Sequence, residues 1–148
     1  MINIKKSRIE RGEVLYLKKV GFITTNKVLA QSLVTIIKGY SELKIEAFML
    51  LNPHQAALDA EVLKIDVAVV DINAGASDRS QALWSLCETL RQTLPKCRIL
   101  LFVPQDDKEG LDTAMEAIKE KAADDFVFYG SSLDYLFAKL VAFLKIIL

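Results

Sequence analysis

The chain has 148 residues, of which 52% are hydrophobic and 26% are charged. This length and composition predict one folded domain with a substantial core, and they exclude a disordered chain. Lysine and arginine together number 19, as do aspartate and glutamate, so the whole-chain charge gives no reason to expect a nucleic-acid partner for this domain.

The segment 1–19 is a basic arm that precedes the first regular pattern. It holds six lysine and arginine residues against two glutamates, an excess of four positive charges. A solvated tail is the simplest interpretation of such a segment. Contact with an acidic partner or with a membrane surface stays open, as does an extra edge strand formed by the apolar residues 14–17.

From residue 20 onward, strand and helix patterns alternate. Apolar runs predict strands at 20–25, 45–51, 65–72, 98–103 and 126–129. Apolar residues at helical spacing predict helices at 26–40, 53–63, 81–94, 108–122 and from Ser131 or Ser132 to the C-terminus. Asn52 and Pro53 are typical of a helix start, and Pro95 is typical of a helix stop.

Five such alternating units predict an α/β protein with a parallel sheet that is covered on both faces. Because crossovers between parallel strands are right-handed, few topologies remain. We expect a flavodoxin-like, doubly wound, three-layer sandwich with strand order 2-1-3-4-5 and five helices, in a single domain spanning residues 20–148.

Asp71 is the residue with the most direct bearing on function. It lies in the third predicted strand, whose nearly continuous apolar sequence indicates burial on both faces. In open α/β sheets, ligands and chemistry lie at the carboxyl ends of the strands. The sequence therefore predicts a candidate site around Asp71.

Several other signals narrow the class of protein. Cys87 and Cys97 fall in a helix and at a strand start, which favours buried thiols in a reducing cytosol. No apolar stretch reaches about 18 residues, so no membrane span is predicted, and the N-terminus lacks the pattern of a signal peptide. No hydrolase or phosphate-loop motif occurs. We therefore expect a cytoplasmic protein that is not an enzyme.

Over residues 19–146, the chain resembles the receiver domains of bacterial two-component response regulators. Asp71 stands where this family carries its phosphoacceptor aspartate, and Asp78 where the following loop commonly carries a second aspartate. The run 98–109 is similar to the fourth strand of the family and the entry to its fourth helix. The segment 123–126, Ala-Asp-Asp-Phe, resembles the Ala-Asp-Asp-Tyr segment before the fifth strand of the family.

The resemblance also implies what a working receiver pocket contains, and the chain departs from it at four positions. Thr24 and Thr25 stand at the acidic pair that holds Mg²⁺ together with the phosphoacceptor. Val103 stands at the hydroxyl residue after strand 4, and Tyr129 at the lysine after strand 5. Mg²⁺ is usually held by carboxylates and phosphate oxygens, and phosphoryl transfer depends on positioned charge. We therefore predict a degenerate pocket without Mg²⁺ or another cofactor.

Asp71 then has two interpretations. The favoured one is a structural carboxylate, bonded to the hydroxyl of Thr24 or Thr25 and to loop N–H groups, because buried polar groups are normally paired. The other is a residual phosphoacceptor.

These departures favour a non-enzymatic signalling or localisation module, a pseudo-receiver that acts through protein–protein interaction independently of phosphorylation. One alternative is a phosphorylatable receiver that uses Asp71 in an atypical pocket. A second is a flavodoxin-like domain that binds a small molecule. The expected partner is another protein or an output domain that follows this one.

The predicted final helix carries a candidate interaction surface. Tyr135, Phe143 and Ile146 fall outside the apolar stripe by which this helix would dock on the sheet. Apolar residues on a second helix face are often covered by another molecule. Receivers commonly dimerise through helix 4, strand 5 and helix 5, so the resemblance implies a homodimer through this surface.

Overall fold

Strands and helices alternate along the part of the chain that a computed structural model describes, residues 18–40, 44–73, 79–129, 135–136 and 138–142. The strands are β1 (Lys18–Ile23), β2 (Ile45–Leu50), β3 (Val67–Asp71), β4 (Arg98–Pro104) and β5 (Asp125–Tyr129). The helices are α1 (Lys27–Lys38), α2 (Pro53–Leu63), α3 (Arg79–Thr93) and α4 (Lys108–Lys119). The helical residues 135–136 and 138–142 belong to a fifth helix, α5.

The five strands form one parallel sheet in the order β2-β1-β3-β4-β5. This order confirms the predicted flavodoxin-like topology. All residues of the central strand β3 are buried, as are the five inner residues of β4. Continuous burial of this kind is what a parallel sheet with helices on both faces requires.

Helices cover both faces of the sheet and give three layers. Successive side chains of a strand point to opposite faces, so Ile99 and Leu101 of β4 belong to one core cluster while Leu100 and Phe102 belong to the other. Helices α2, α3 and α4 cover the first cluster, and α1 and α5 cover the second. Their buried residues are Ala56, Ala60, Leu83, Cys87, Leu90, Ala114 and Ala117 in the first, and Leu33, Ile37, Leu136 and Leu140 in the second.

Most element boundaries differ from the expectation by one to three residues, among them three that concern β1, β3 and α4. β1 begins at Lys18, because Lys18 and Lys19 pair with β2 and are half-buried. The Lys19 ammonium group donates a hydrogen bond to the carbonyl of Leu63 at 3.0 Å. The sheet thus starts inside the segment 1–19 that we assigned to the arm. β3 begins at Val67 rather than at residue 65. α4 ends at Lys119 rather than at residue 122, since Lys121 has a positive φ that stops a helix.

Several expectations concern residues outside the described ranges. These are the arm over residues 1–17, the second aspartate at 78, the start of the final helix at Ser131 or Ser132, and the side chains of Phe143 and Ile146. They stay predictions. Among the helices that the structure describes, none is long and apolar enough to cross a membrane.

The two cysteines are buried free thiols, as expected. Burial raises the pKa of both the Cys87 and the Cys97 thiol to about 12. Since the thiolate is the reactive form, both side chains are poor nucleophiles near neutral pH. They serve the fold as small apolar groups.

Two aspartates tie neighbouring strands together at the amino edge of the sheet. Asp66 precedes β3 and accepts the backbone N–H of Lys19 in β1 at 2.8 Å. Asp124 precedes β5 and accepts a backbone N–H of β4 at 2.7 Å. Asp124 also forms ion pairs with Arg91 at 3.1 Å and with Arg98 at 3.6 Å. Both carboxylates are therefore engaged within the fold.

Docking of α5 can be tested through Leu140, which is fully buried in the second cluster. We expect Leu140→Ala to lower the free energy of unfolding by about 2–5 kcal/mol, because it removes buried methyl groups and leaves a cavity. Urea denaturation measures this change. Leu58→Ala on α2, where the side chain is 54% exposed, should change it by less than about 0.5 kcal/mol. Equally small losses in both variants would contradict a docked α5.

Candidate functional site

The ends of β1 and β3 place Thr24 beside Asp71. The two strands are parallel neighbours with Ile23 opposite Val70, so the residues at their carboxyl ends also lie next to each other. Thr24 is 3% exposed and Asp71 is 5% exposed, and of the described residues these two alone are both polar and buried. A buried carboxylate must find hydrogen-bond partners, since unpaired burial costs several kcal/mol.

The Asp71 carboxylate accepts hydrogen bonds through both oxygens. The Thr24 hydroxyl donates to Oδ2 at 2.7 Å, and the backbone N–H of Asn73 donates to Oδ1 at 3.0 Å. The Thr24 oxygen in turn accepts the backbone N–H of Asn26 at 3.0 Å. These contacts match the favoured interpretation of Asp71 as a bonded structural carboxylate. The partner hydroxyl belongs to Thr24, whereas Thr25 is exposed.

The residues after β1 also start α1. Asn26 is the N-cap, and its side-chain oxygen accepts the backbone N–H of Leu29 at 3.0 Å. A cap of this kind stabilises a helix by about 1 kcal/mol. The segment from Thr24 to Asn26 therefore joins the Asp71 carboxylate to the first turn of α1 through an unbroken series of hydrogen bonds.

Val103 takes part in the core and not in the hydrogen-bonded network. It is fully buried in β4, where its register partner is Phe128 of β5. Its side chain belongs to the cluster covered by α2, α3 and α4. The position thus adds apolar surface to the core and offers no hydrogen-bond donor.

Tyr129 ends β5 close to Asp71. Its ring lies 4.6 Å from that of Phe102, measured between centroids, and its hydroxyl is hydrogen-bonded to the side chain of Asn73. Burial and the negative charge of Asp71 raise the pKa of Tyr129 above its ordinary value of 10.0, and the Asn73 bond opposes this shift in part. The hydroxyl is therefore neutral near neutral pH, and it supplies a hydrogen bond where the resemblance implies a lysine charge.

Sequence reasoning missed two residues near this site, Asn73 and Asp107. Asn73 joins Asp71 to Tyr129, through its backbone on one side and its side chain on the other. Asp107 caps α4 by accepting the N–H of Gly110 at 2.8 Å, and its charge also raises the pKa of Tyr129. Both could have been recognised as a turn residue and a helix cap. Neither pattern reveals that the two side chains lie near the end of β5.

The residues around Asp71 do not fit Mg²⁺. The hydroxyl of Thr24 gives its hydrogen to Asp71, and Thr25 is exposed. The two threonines and Asp71 supply a single carboxylate, whereas Mg²⁺ requires near-ideal octahedral oxygen ligation. Among the described residues, no three histidine, cysteine, aspartate or glutamate side chains are grouped so as to hold a metal ion.

A cleft of about 800 Å³ opens beside Asp71 at the carboxyl edge of the sheet. It lies between α2 and α3, next to the junction where the strand order reverses between β1 and β3. Open α/β sheets bind ligands at such switch points. The lining is largely apolar with a few polar groups, and consists of Thr25, Leu51, Asn52, Pro53, His54, Ala57, Leu58, Val70, Asp71, Ala82, Leu83, Ser85, Leu86 and Thr89.

Of the three residues predicted for the interaction surface, the structure describes Tyr135. Its side chain is 47% exposed, and its ring centroid lies 5.8 Å from the Lys139 ammonium group. Lys139 forms an ion pair with Asp125, which fixes α5 against β5.

Comparison with solved structures identifies the fold. The REC domain of AraT, a response regulator from Geobacillus stearothermophilus, is 21% identical with a TM-score of 0.67, covering 87% of this chain and 96% of that one. A two-component response regulator from Clostridium difficile is 20% identical with a TM-score of 0.66, covering 86% and 96% of the two chains. A CheY-like receiver domain protein from Methanospirillum hungatei is 14% identical with a TM-score of 0.68, covering 87% and 94%.

The chain has the receiver fold. At these identities the likeness extends to the fold alone, and the match covers nearly the whole of each of these solved structures. No protein-family model matches the sequence, and no curated protein matches it either.

The bond between Thr24 and Asp71 can be tested with a matched pair of variants. We expect Thr24→Val to lower the free energy of unfolding by about 1–3 kcal/mol, because Asp71 stays buried but loses one hydrogen-bond donor. Urea denaturation at neutral pH measures the change. Thr25→Val makes the same chemical change at the exposed neighbour and should cost less than about 0.5 kcal/mol. Similar values for the two variants would contradict the role of Thr24.

Proposed function

We propose that this protein is a signalling or localisation module that uses the receiver fold for protein–protein interaction without phosphorylation. The observation that supports this most directly is the hydrogen bond from Thr24 to Asp71. Thr24 occupies the position at which the resemblance to receiver domains implies an acidic metal ligand. The Thr24 hydroxyl stabilises Asp71 by donating a hydrogen bond, whereas an acidic side chain at this position would hold the metal ion that activates Asp71.

The charges around Asp71 also favour this proposal. A phosphoryl group would add about −1.5 to −2 charge at this position, by analogy with other phosphorylated residues. Among the described residues, the groups bonded to the carboxylate are a hydroxyl and a backbone N–H, and neither is a cation. Asp107 and a neutral Tyr129 lie nearby. The metal ions and positive side chains that stabilise phosphoryl transfer have no counterpart among these residues.

The bond between Asn73 and Tyr129 supports a permanent arrangement of the signalling surface. It joins the residues after β3 to the end of β5. The resemblance to receiver domains implies a signalling surface formed by helix 4, strand 5 and helix 5. The surface around Tyr135 is then available, without a switch at Asp71, to a partner protein, to an output domain or to a second copy of the chain.

The proposal predicts an inert Asp71. With Mg²⁺ and acetyl phosphate the intact mass should stay unchanged, and with beryllofluoride fluorine NMR should show no bound signal, because the site lacks stabilising charge. The Asp71→Asn variant, which lacks the carboxylate, is the negative control for both measurements. Stoichiometric modification that Asp71→Asn abolishes would establish the alternative, a phosphorylatable receiver with an atypical pocket.

A restored variant serves as the positive control. It combines Thr24→Asp, Thr25→Asp, Val103→Thr and Tyr129→Lys, which supply the acidic pair, the hydroxyl and the lysine that the resemblance implies. We expect Mg²⁺-dependent modification of Asp71 to appear in this variant once circular dichroism shows that it is folded. A folded variant that stays inert would mean that these positions do not explain the behaviour of Asp71.

The cleft beside Asp71 favours a second candidate function, the binding of a small molecule. Its walls are mainly apolar, and Asp71 places a carboxylate at one end. Ligand sites of folded proteins combine an apolar lining with a few polar groups in this way. Because the Asp71 carboxylate is negatively charged and accepts hydrogen bonds, it favours a ligand with a cationic donor.

Benzylamine is a suitable probe for this second function. We expect its addition to shift the amide NMR signals of residues around Asp71 more than benzyl alcohol does, because the amine brings the opposite charge. Ala57→Phe should fill the cleft and abolish these shifts. Val62→Phe, on an exposed part of the same helix outside the cleft, should preserve them. Equal responses to the two probes, or no response, would contradict the candidate.

A further inference from the structure

Basic side chains collect at the amino edge of the sheet. We take each connection to run from the last residue of a helix to the following strand. Each of these connections carries at least one exposed lysine. We refer to these residues as the amino-edge lysines: Lys38, Lys44, Lys64, Lys96, Lys119 and Lys121. Within the described residues, none of their six ammonium groups forms a hydrogen bond or an ion pair.

In the described part of the same connections, the acidic residues are fewer than the six lysines: Asp66, Glu120 and Asp124. Glu42, in the connection between α1 and β2, lies outside the described residues. Asp66 and Asp124 bind backbone N–H groups of neighbouring strands, and Asp124 also forms ion pairs with two arginines. Glu120 is exposed. Glu61 and Glu116 lie further back along their helices. The described part of this edge therefore has an excess of positive charge, although the chain as a whole has no net charge.

Three of the amino-edge lysines occupy backbone conformations that favour glycine. Lys44, Lys64 and Lys121 have φ values of 54°, 60° and 64°, and no other non-glycine residue of the described chain has a positive φ. A side chain costs more free energy than glycine in this region. The helix macrodipole favours a cation at the C-terminal end of a helix, and for Lys64 and Lys121 this offsets part of the cost. The sequence thus keeps charge at positions where glycine fits the backbone more easily.

The basic arm joins the sheet at the same edge, because it leads directly into β1. Residues 1–17 contain four lysines and arginines against two glutamates, interspersed with the apolar residues Met1, Ile2, Ile4 and Ile9. Segments that combine basic and apolar side chains are typical of the interface between water and a lipid bilayer. In such segments, apolar residues enter the lipid while basic ones pair with headgroups.

We propose that the amino edge of this protein binds the surface of an anionic lipid bilayer. The four connections lie at one end of a five-stranded sheet, which is about 19 Å wide at a strand spacing of about 4.8 Å. Lysines spread over such a face meet a planar, laterally mobile array of phosphate headgroups without needing a fixed register. Clusters of four to eight basic residues are the usual signal for this kind of attachment.

The type of basic residue favours lipid over nucleic acid. Arginine is preferred where phosphate and base edges are recognised in fixed geometry, whereas lysine acts as a point charge. All six exposed basic residues of the edge are lysines. The two nearby arginines, Arg91 and Arg98, are held in ion pairs with Asp124. The apolar residues of the arm also have a use in a bilayer that a phosphate backbone does not offer.

The test uses the full chain and sedimentation with two kinds of vesicle. We expect binding to vesicles of equimolar phosphatidylcholine and phosphatidylglycerol, loss of that binding at high salt, and none to phosphatidylcholine alone. The combined variant Lys64→Gly and Lys121→Gly should weaken the binding about 30-fold, since each lysine near an anionic surface strengthens it about fivefold. Because glycine suits both backbone conformations, the variant should remain folded.

A matched control removes the same charge from the opposite edge of the sheet. Lys27 and Lys108 are exposed at the starts of α1 and α4, so Lys27→Gln combined with Lys108→Gln should leave vesicle binding unchanged. The proposal is overturned if the two variants weaken binding equally, or if the two kinds of vesicle bind equally well. It is also overturned if duplex DNA binds more tightly than vesicles at equal phosphate concentration and the glycine variant weakens that binding.

Discussion

The hydrogen bond from Thr24 to Asp71 is the constraint on which the carboxyl edge of this sheet depends. A carboxylate at the end of a fully buried strand must be paired, because burial of an unpaired charge is costly. Thr24 provides this pairing from the neighbouring strand, and Asn73 completes it from the following turn. The same threonine accepts the N–H of Asn26. One hydroxyl thus links the ends of two strands to the start of a helix.

The fold could be predicted from sequence because its main signals are local and repeated. Continuous apolar runs, as in β3 and β4, indicate buried parallel strands, and alternation with helices then restricts the topology. Boundaries were less predictable where backbone pairing continues under charged side chains, as at Lys18 and Lys19. Strand propensity depends on the type of side chain. A strand itself requires only an extended backbone and a neighbouring strand with free hydrogen-bonding groups.

The candidate site was predictable in its residues but not in its connections. Asp71 and Thr24 could be placed together because their strands end side by side. The contact between Asn73 and Tyr129 depends on side-chain directions across the sheet, which spacing along the chain does not fix. The three lysines with positive φ were missed for a related reason. Left-handed positions are normally signalled by glycine or asparagine, and a lysine gives no such signal.

The amino-edge lysines place an excess of positive charge at one edge of a molecule whose net charge is zero. Its net charge of zero describes only the sum of its charges, whereas its response to an external field depends on their separation. Near a charged surface, such a molecule experiences a torque even where the net force on it is small. At the anionic bilayer that we propose, it therefore turns before it is drawn in, and it presents the edge where the strands begin. Asp71, the cleft and the ends of the strands then face away from that surface, so orientation would be selected before contact is made.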